Sequence, residues 1–145
     1  MDITTLPAPR PVTLVRAAAP VVAERHFVSR LAFETDPSDV AAHLRAAPDE
    51  IVVVDTRSPE AYAEAHVPGA VSLPHASIDA AAVAALPAHA LLVTYCWSPS
   101  CNAAAKGAAR LAALGRPVKE MIGGIEGWRA EGLPVEAGPP VAVAG

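Results

Sequence analysis

The run Ile51-Val52-Val53-Val54, closed at once by Asp55, limits what this chain can become more than any other feature. A strand that alternates apolar and polar residues buries one face, whereas one that is apolar at every position must be covered on both, as a central strand of a parallel sheet is. Leu91 to Tyr95 reads as a second buried strand. Helix signals lie around both. Asp36 is placed to cap a helix, Pro37 to take its first position and Asp39 to lie near the free N–H groups; Val40, Leu44 and Ala47 then form one apolar face that ends before Pro48. Ser58 and Pro59 open a second short helix, and the turn His66 to Ala70 leads into a strand over Ala70–Leu73. A weak helical stretch from Asp79 to Leu86 stops at Pro87. A long helix from Asn102 to Leu114 is closed by Gly115. Val118–Ile122 supplies the last strand, followed by a short helix containing Trp128.

At the amino end, Met1 to Val22 carries four prolines and little periodicity, which reads as an arm or irregular wrap that Pro20 separates from the domain; Val28–Phe33 reads as a short first strand. Strands alternating with helices in pieces this short predict a three-layer α/β domain: a mainly parallel sheet of about five strands with helices on both faces. The expected organisation is an arm over residues 1–27, the domain over 28–138 and a tail over 139–145.

A length of 145 residues suits one core, and the formal charge of −4 with no basic cluster disfavours a nucleic-acid partner. The weakly polar run Ala103–Leu114 contains Lys106 and Arg110 and is too short to cross a bilayer, so no membrane role is expected. The amino terminus has an acidic second residue and prolines where a signal peptide would be basic and then apolar, so a cytoplasmic protein is expected. The two cysteines, Cys96 and Cys101, cannot build a multi-bridge scaffold. His75 and His89 do not complete a zinc-finger spacing, and His26 and His43 show no ligand spacing, so no metal is expected. Gly123-Gly124 lacks the surroundings of a phosphate-binding fingerprint and reads instead as a place of close backbone approach.

In an open α/β sheet, ligands gather at the carboxyl ends of the strands, where Asp55 and Cys96 both fall. A strand, a compact loop and a helix start surround one small volume with backbone N–H groups and favour a thiolate there. Two chemistries fail on spacing. A cysteine phosphatase needs an arginine six positions after its nucleophile, where this chain has Asn102, and a thioredoxin-like pair has two residues between its cysteines, where this chain has four.

Three separated segments resemble the rhodanese family: IVVVDTRSPEAYAEAHVPGAVSLP, LLVTYCWSPSCNAAAKGAARLAALG and MIGGIEGWRAEGLPV. The resemblance implies a sulfurtransferase in which Cys96 takes a sulfane sulfur from thiosulfate or a persulfide, holds it as a persulfide and passes it to a thiol acceptor, small or on a protein, without metal or organic cofactor. It also implies that the loop from Trp97 through Ser98, Pro99 and Ser100 to Asn102 surrounds the persulfide with N–H donors. Many active family members have glycine in place of Pro99 and arginine or lysine in place of Cys101. Proline removes one donor, and without the cation a doubly charged thiosulfate is attracted less, so transfer from thiosulfate to cyanide is expected to be weak. Cys101 has two readings: a thiol that resolves the Cys96 persulfide, provided the two Cα atoms lie within about 7 Å, or a small filler beneath Trp97. Two other functions compete, a non-catalytic interaction module and a disulfide redox sensor built on Cys96 and Cys101.

The supporting residues read as structural. Arg57 is expected to bond a nearby carboxylate such as Glu64, Asp55 to fasten the loops, and His66 to pack and hydrogen-bond. Trp97 either lines the entrance or lies on the surface, Trp128 belongs to the core, and His75, just after a strand end, reads mainly as a residue without a role in the site and only secondarily as one that borders it.

Overall fold

The computed structural model describes residues 7–141. It falls into two compact units that divide after Arg30. The first holds α1 (Pro11–Leu14) and most of α2 (Pro20–Phe33). The expected strand over Val28–Phe33 is therefore helix, and the expected irregular arm is helical from Pro20 on; residues 1–6 and 142–145 of the expected arm and tail lie outside the described residues. The physical reason is twofold. Pro20, expected to separate segments, sits at a helix start, where its missing N–H goes unused, and Phe27, Val28 and Leu31 recur at helical rather than alternating spacing.

The second unit is the α/β domain. After β1 (Glu34–Thr35) come α3 (Pro37–Ala46), β2 (Ile51–Asp55), α4 (Pro59–Glu64), β3 (Val71–Ser72), a 3-10 turn at His75–Ser77, α5 (Ala80–Ala84), β4 (Leu91–Tyr95), α6 (Ala103–Ala113), β5 (Val118–Met121) and α7 (Gly124–Ala130). The five strands form one sheet in the order β1-β5-β4-β2-β3, and every pairing is parallel. The caps read from the sequence are in place. Asp36 accepts from the Asp39 N–H at 2.8 Å and Ser58 Oγ from the Ala61 N–H at 3.2 Å, with Pro37 and Pro59 at the first helical positions.

Alternation along the strands divides the core. Ile51, Val53, Val93, Tyr95 and Met121 face α3, α4 and α7 with Val40, Tyr62, Ile125 and Trp128, while Val54 and Leu92 face the other layer with Ile78, Val83, Leu86 and Leu111. Leu92, the second residue of β4, is fully buried in the second cluster. Its truncation removes apolar contacts from an interior that relaxes only in part, so Leu92→Ala is expected to cost about 2–5 kcal/mol in urea unfolding followed by circular dichroism, with the slope against urea unchanged.

Candidate functional site

β4 delivers Cys96 to the carboxyl edge of the sheet, and α6 begins at Ala103 on the far side of a six-residue loop. Cys96 is buried, and Cys101 is joined to it by a disulfide with 6.3 Å between the Cα atoms, inside the distance that a resolving role demands. The loop turns on Ser98, whose carbonyl accepts from the Cys101 N–H at 3.1 Å and whose Oγ accepts from the Ser100 N–H at 3.2 Å. Ser100 and Cys101 thus spend their donors within the loop in this disulfide form, and Pro99 has none. Among the described residues the N–H groups of Trp97, Ser98 and Asn102 have no protein acceptor.

Beneath the loop lies α7. Its first N–H groups have no intrahelical acceptor and reach the loop: Ile125 donates to the Cys96 carbonyl and Glu126 to the Trp97 carbonyl, each at 2.9 Å. Gly124 makes the approach feasible. Its φ is +62°, and a Cβ there would stand 2.5 Å from the Trp97 carbonyl carbon and 2.6 Å from the Cys96 oxygen. On the other flank, Thr94 Oγ1 donates to the Ala104 carbonyl at 3.0 Å and so ties the end of β4 to the first turn of α6.

The side of the loop rests on a buried ion pair. Arg57 bonds Asp55, not the expected Glu64: Nε lies 3.0 and 3.2 Å from the two carboxylate oxygens and Nη2 lies 2.7 Å from Oδ2, while the Arg57 main-chain N–H donates to Oδ1 at 3.0 Å. Asp55 is the nearer partner because it precedes Arg57 by two residues at the strand end, and the register β2–β4 sets Tyr95 directly beside it. The Tyr95 hydroxyl donates to Asp55 at 2.5 Å and accepts from the Val67 N–H at 3.1 Å, and Arg57 Nη2 also donates to the Ala65 carbonyl at 2.6 Å. Arg57 then lies over two rings, 5.6 Å from the centre of Tyr95 and 4.5 Å from that of Trp97. Burial works against the charge of Arg57, but the bonds and charge of Asp55 outweigh it and leave the guanidinium more basic than usual. Burial, reinforced by the Asp55 charge, pushes the Tyr95 phenol well above its ordinary range.

Trp97 caps this stack with 45 % of its surface exposed, so it lies at the mouth of the site and also covers the ion pair. His66 is not drawn to Cys96. Its Nδ1 donates to the Tyr62 carbonyl at 2.8 Å, its ring stacks on Tyr62, and its backbone pairs with Glu136. Trp128 is core, with its indole N–H on the Pro134 carbonyl at 2.7 Å. His75 donates its N–H to the Thr56 carbonyl at 3.2 Å. Tyr95, Thr94 and the N–H donors of α7 were not legible as site components. For Tyr95 the signal was present, since both strong strands end on a polar side chain at the same level.

A family model described as Rhodanese-like domain matches residues 36–131. The HTH-type transcriptional regulator Rv0324 of Mycobacterium tuberculosis is 34% identical over 134 residues, covering 86% of this chain and 58% of that protein, so the chain spans little more than half of that relative's length. The crystal structure of the BH2092 protein from Bacillus halodurans superposes with a TM-score of 0.79 at 44% identity, covering 82% of this chain and 87% of that one. A thiosulfate sulfurtransferase from Pseudomonas aeruginosa matches at a TM-score of 0.63 and 27% identity, covering 83% of this chain and 22% of that one. Among the described residues no helix is long and apolar enough to cross a membrane.

Two substitutions check this architecture. Gly124→Ala forces a methyl into the backbone of Cys96 and Trp97 at a strained φ and is expected to destabilise by about 2–4 kcal/mol in denaturant titration. Tyr95→Phe leaves a buried carboxylate oxygen and the Val67 N–H short of a partner, at about 1–3 kcal/mol. Because the folded phenol is raised, the stability it provides is present below its ordinary pKa and lost as pH rises beyond it, so the variant's alkaline loss of stability should be shallower than the parent's.

Proposed function

Because the chain belongs to the rhodanese-like domain family, we propose that it is a sulfurtransferase that carries a sulfane sulfur on Cys96 and that Cys101 resolves the resulting persulfide. The observation that carries this reading is the disulfide itself: two thiols in one loop, the first buried at a strand end with a helix start behind it, close enough to bond. In the first step the Cys96 thiolate attacks the outer sulfur of a persulfide donor and the donor leaves as its thiolate. In the second the Cys101 thiolate attacks Cys96 Sγ, hydrosulfide leaves, and the disulfide forms. Two thiol equivalents from a small thiol or a protein dithiol then reduce it, so the cycle needs no further oxidant. A reducing compartment such as the cytoplasm suits this last step.

Thiosulfate is a poor donor in this reading. Pro99 removes one N–H, Ser100 and Cys101 direct theirs to Ser98 in the oxidised form, and no cation stands in the loop. Trp97 at the mouth favours an apolar or protein-borne thiol as the reductant of the disulfide. A second reading rests on the similarity to a transcriptional regulator: the domain serves as a non-catalytic interaction module whose loop contacts a partner.

Intact mass of fully reduced protein after brief exposure to glutathione persulfide separates the two. Cys101→Ser is expected to hold a gain of about 32 Da, Cys96→Ser to gain nothing, and the parent to pass to the disulfide while releasing sulfide. Thiols that stay unmodified in all three would leave a binding module.

A further inference from the structure

At the opposite end of β2 from the loop lies a cavity of about 630 Å³. It is lined by three consecutive strand residues, Ile51, Val52 and Val53. Consecutive residues point to opposite faces of a sheet, so a cavity touching all three lies against the edge of the strand and not against a face. The pairing explains the notch. β4 accompanies β2 from Ile51 to Asp55, but β3 pairs only with Val54 and Asp55, which leaves the first half of β2 without a strand on that side. The two helical layers close over the gap, with Leu44 and Trp128 contributing from one and Leu86 from the other.

The lining is apolar with one exception. Arg45, exposed in the last turn of α3, is the single charged residue at the cavity, and among the described residues it has no ion-pair or hydrogen-bond partner. A volume of this size lies in the range of small-molecule sites, which are mostly apolar with a few polar groups that set orientation. A partly open notch of this volume at one strand edge offers too small a footprint for a stable protein interface. An apolar wall with a single unpaired guanidinium is complementary to an apolar chain that ends in one carboxylate, the group a guanidinium binds through two parallel N–H bonds.

We propose that this cavity binds a small amphiphilic monocarboxylate, its chain seated along the open edge of β2 against Trp128 and its carboxylate on Arg45. The site is separate from the cysteine loop and does not depend on the sulfur chemistry proposed for it.

Trp128 reports occupancy directly, because it lines the cavity and Trp97→Phe removes the other tryptophan. Titrating the full chain carrying Trp97→Phe with ω-bromodecanoate, whose bromine quenches only on contact, should give saturable loss of Trp128 fluorescence. Adding Arg45→Glu should weaken binding at least about tenfold, while uncharged ω-bromodecanol should bind both proteins alike. The substituted residue is exposed, and an unchanged melting temperature would show that the fold is intact. Absence of saturable quenching below the micellar range would overturn the site, and equal carboxylate affinity with and without Arg45→Glu would overturn the assignment of the head group.

Discussion

A carboxylate that water cannot reach must be matched on the protein's own terms, and the carboxyl edge of this sheet is organised around one. Asp55 is fully buried at the end of β2, and it accepts from the Arg57 main chain and side chain and from the Tyr95 hydroxyl. A buried pair of this kind contributes little net stability, since desolvation offsets most of the attraction, while breaking it leaves an uncompensated charge. Its consequence is geometric. Through Ala65 and Val67 it fixes the chain leaving α4, through Tyr95 it joins the ends of β2 and β4, and through the stacked guanidinium it holds Trp97 beside Cys96.

The loop is thereby supported along its first two residues and left to itself afterwards. Cys96 and Trp97 have their carbonyls tied by α7, and Trp97 also has its ring on Arg57, whereas Ser98 to Cys101 bond mainly to one another. In the proposed chemistry this division is consistent. A cradle short of N–H donors stabilises a persulfide less than a full ring would, and a sulfur that is held weakly is released when a neighbouring thiol attacks rather than stored. The thinning of the cradle at Pro99 and the second thiol at Cys101, whose attack expels the outer sulfur as hydrosulfide, then act together.

The order of elements could be read from the chain because local signals agreed: the caps at Asp36 and Ser58, the prolines after them, and two strands apolar on both faces. Val28–Phe33 misled because a short apolar run is compatible with strand or helix, and the helical start at Pro20 lies eight residues upstream. Partner identities were harder. Arg57 has acidic residues at several separations, and only the side-by-side register of Asp55 and Tyr95 selects the one it uses. Gly123-Gly124 could be read as a close approach, but the donors that make the approach useful belong to the backbone of Ile125 and Glu126, where side-chain identity carries no signal.

The seven residues of α7 serve both ends of the domain. Its first N–H groups hold the loop carbonyls, and less than one turn beyond them Trp128 enters the core and lines the notch left by the short β3. A helix of two turns is too short to bend between these contacts, so the placement of Trp128 and the height of the clamp under Cys96 are one variable rather than two. The bond from the Trp128 indole to the Pro134 carbonyl removes the remaining freedom of rotation at the core end. The glycine at the start of α7 is then a necessity of spacing: with the helix fixed by its tryptophan, only a residue without a side chain fits between it and the loop.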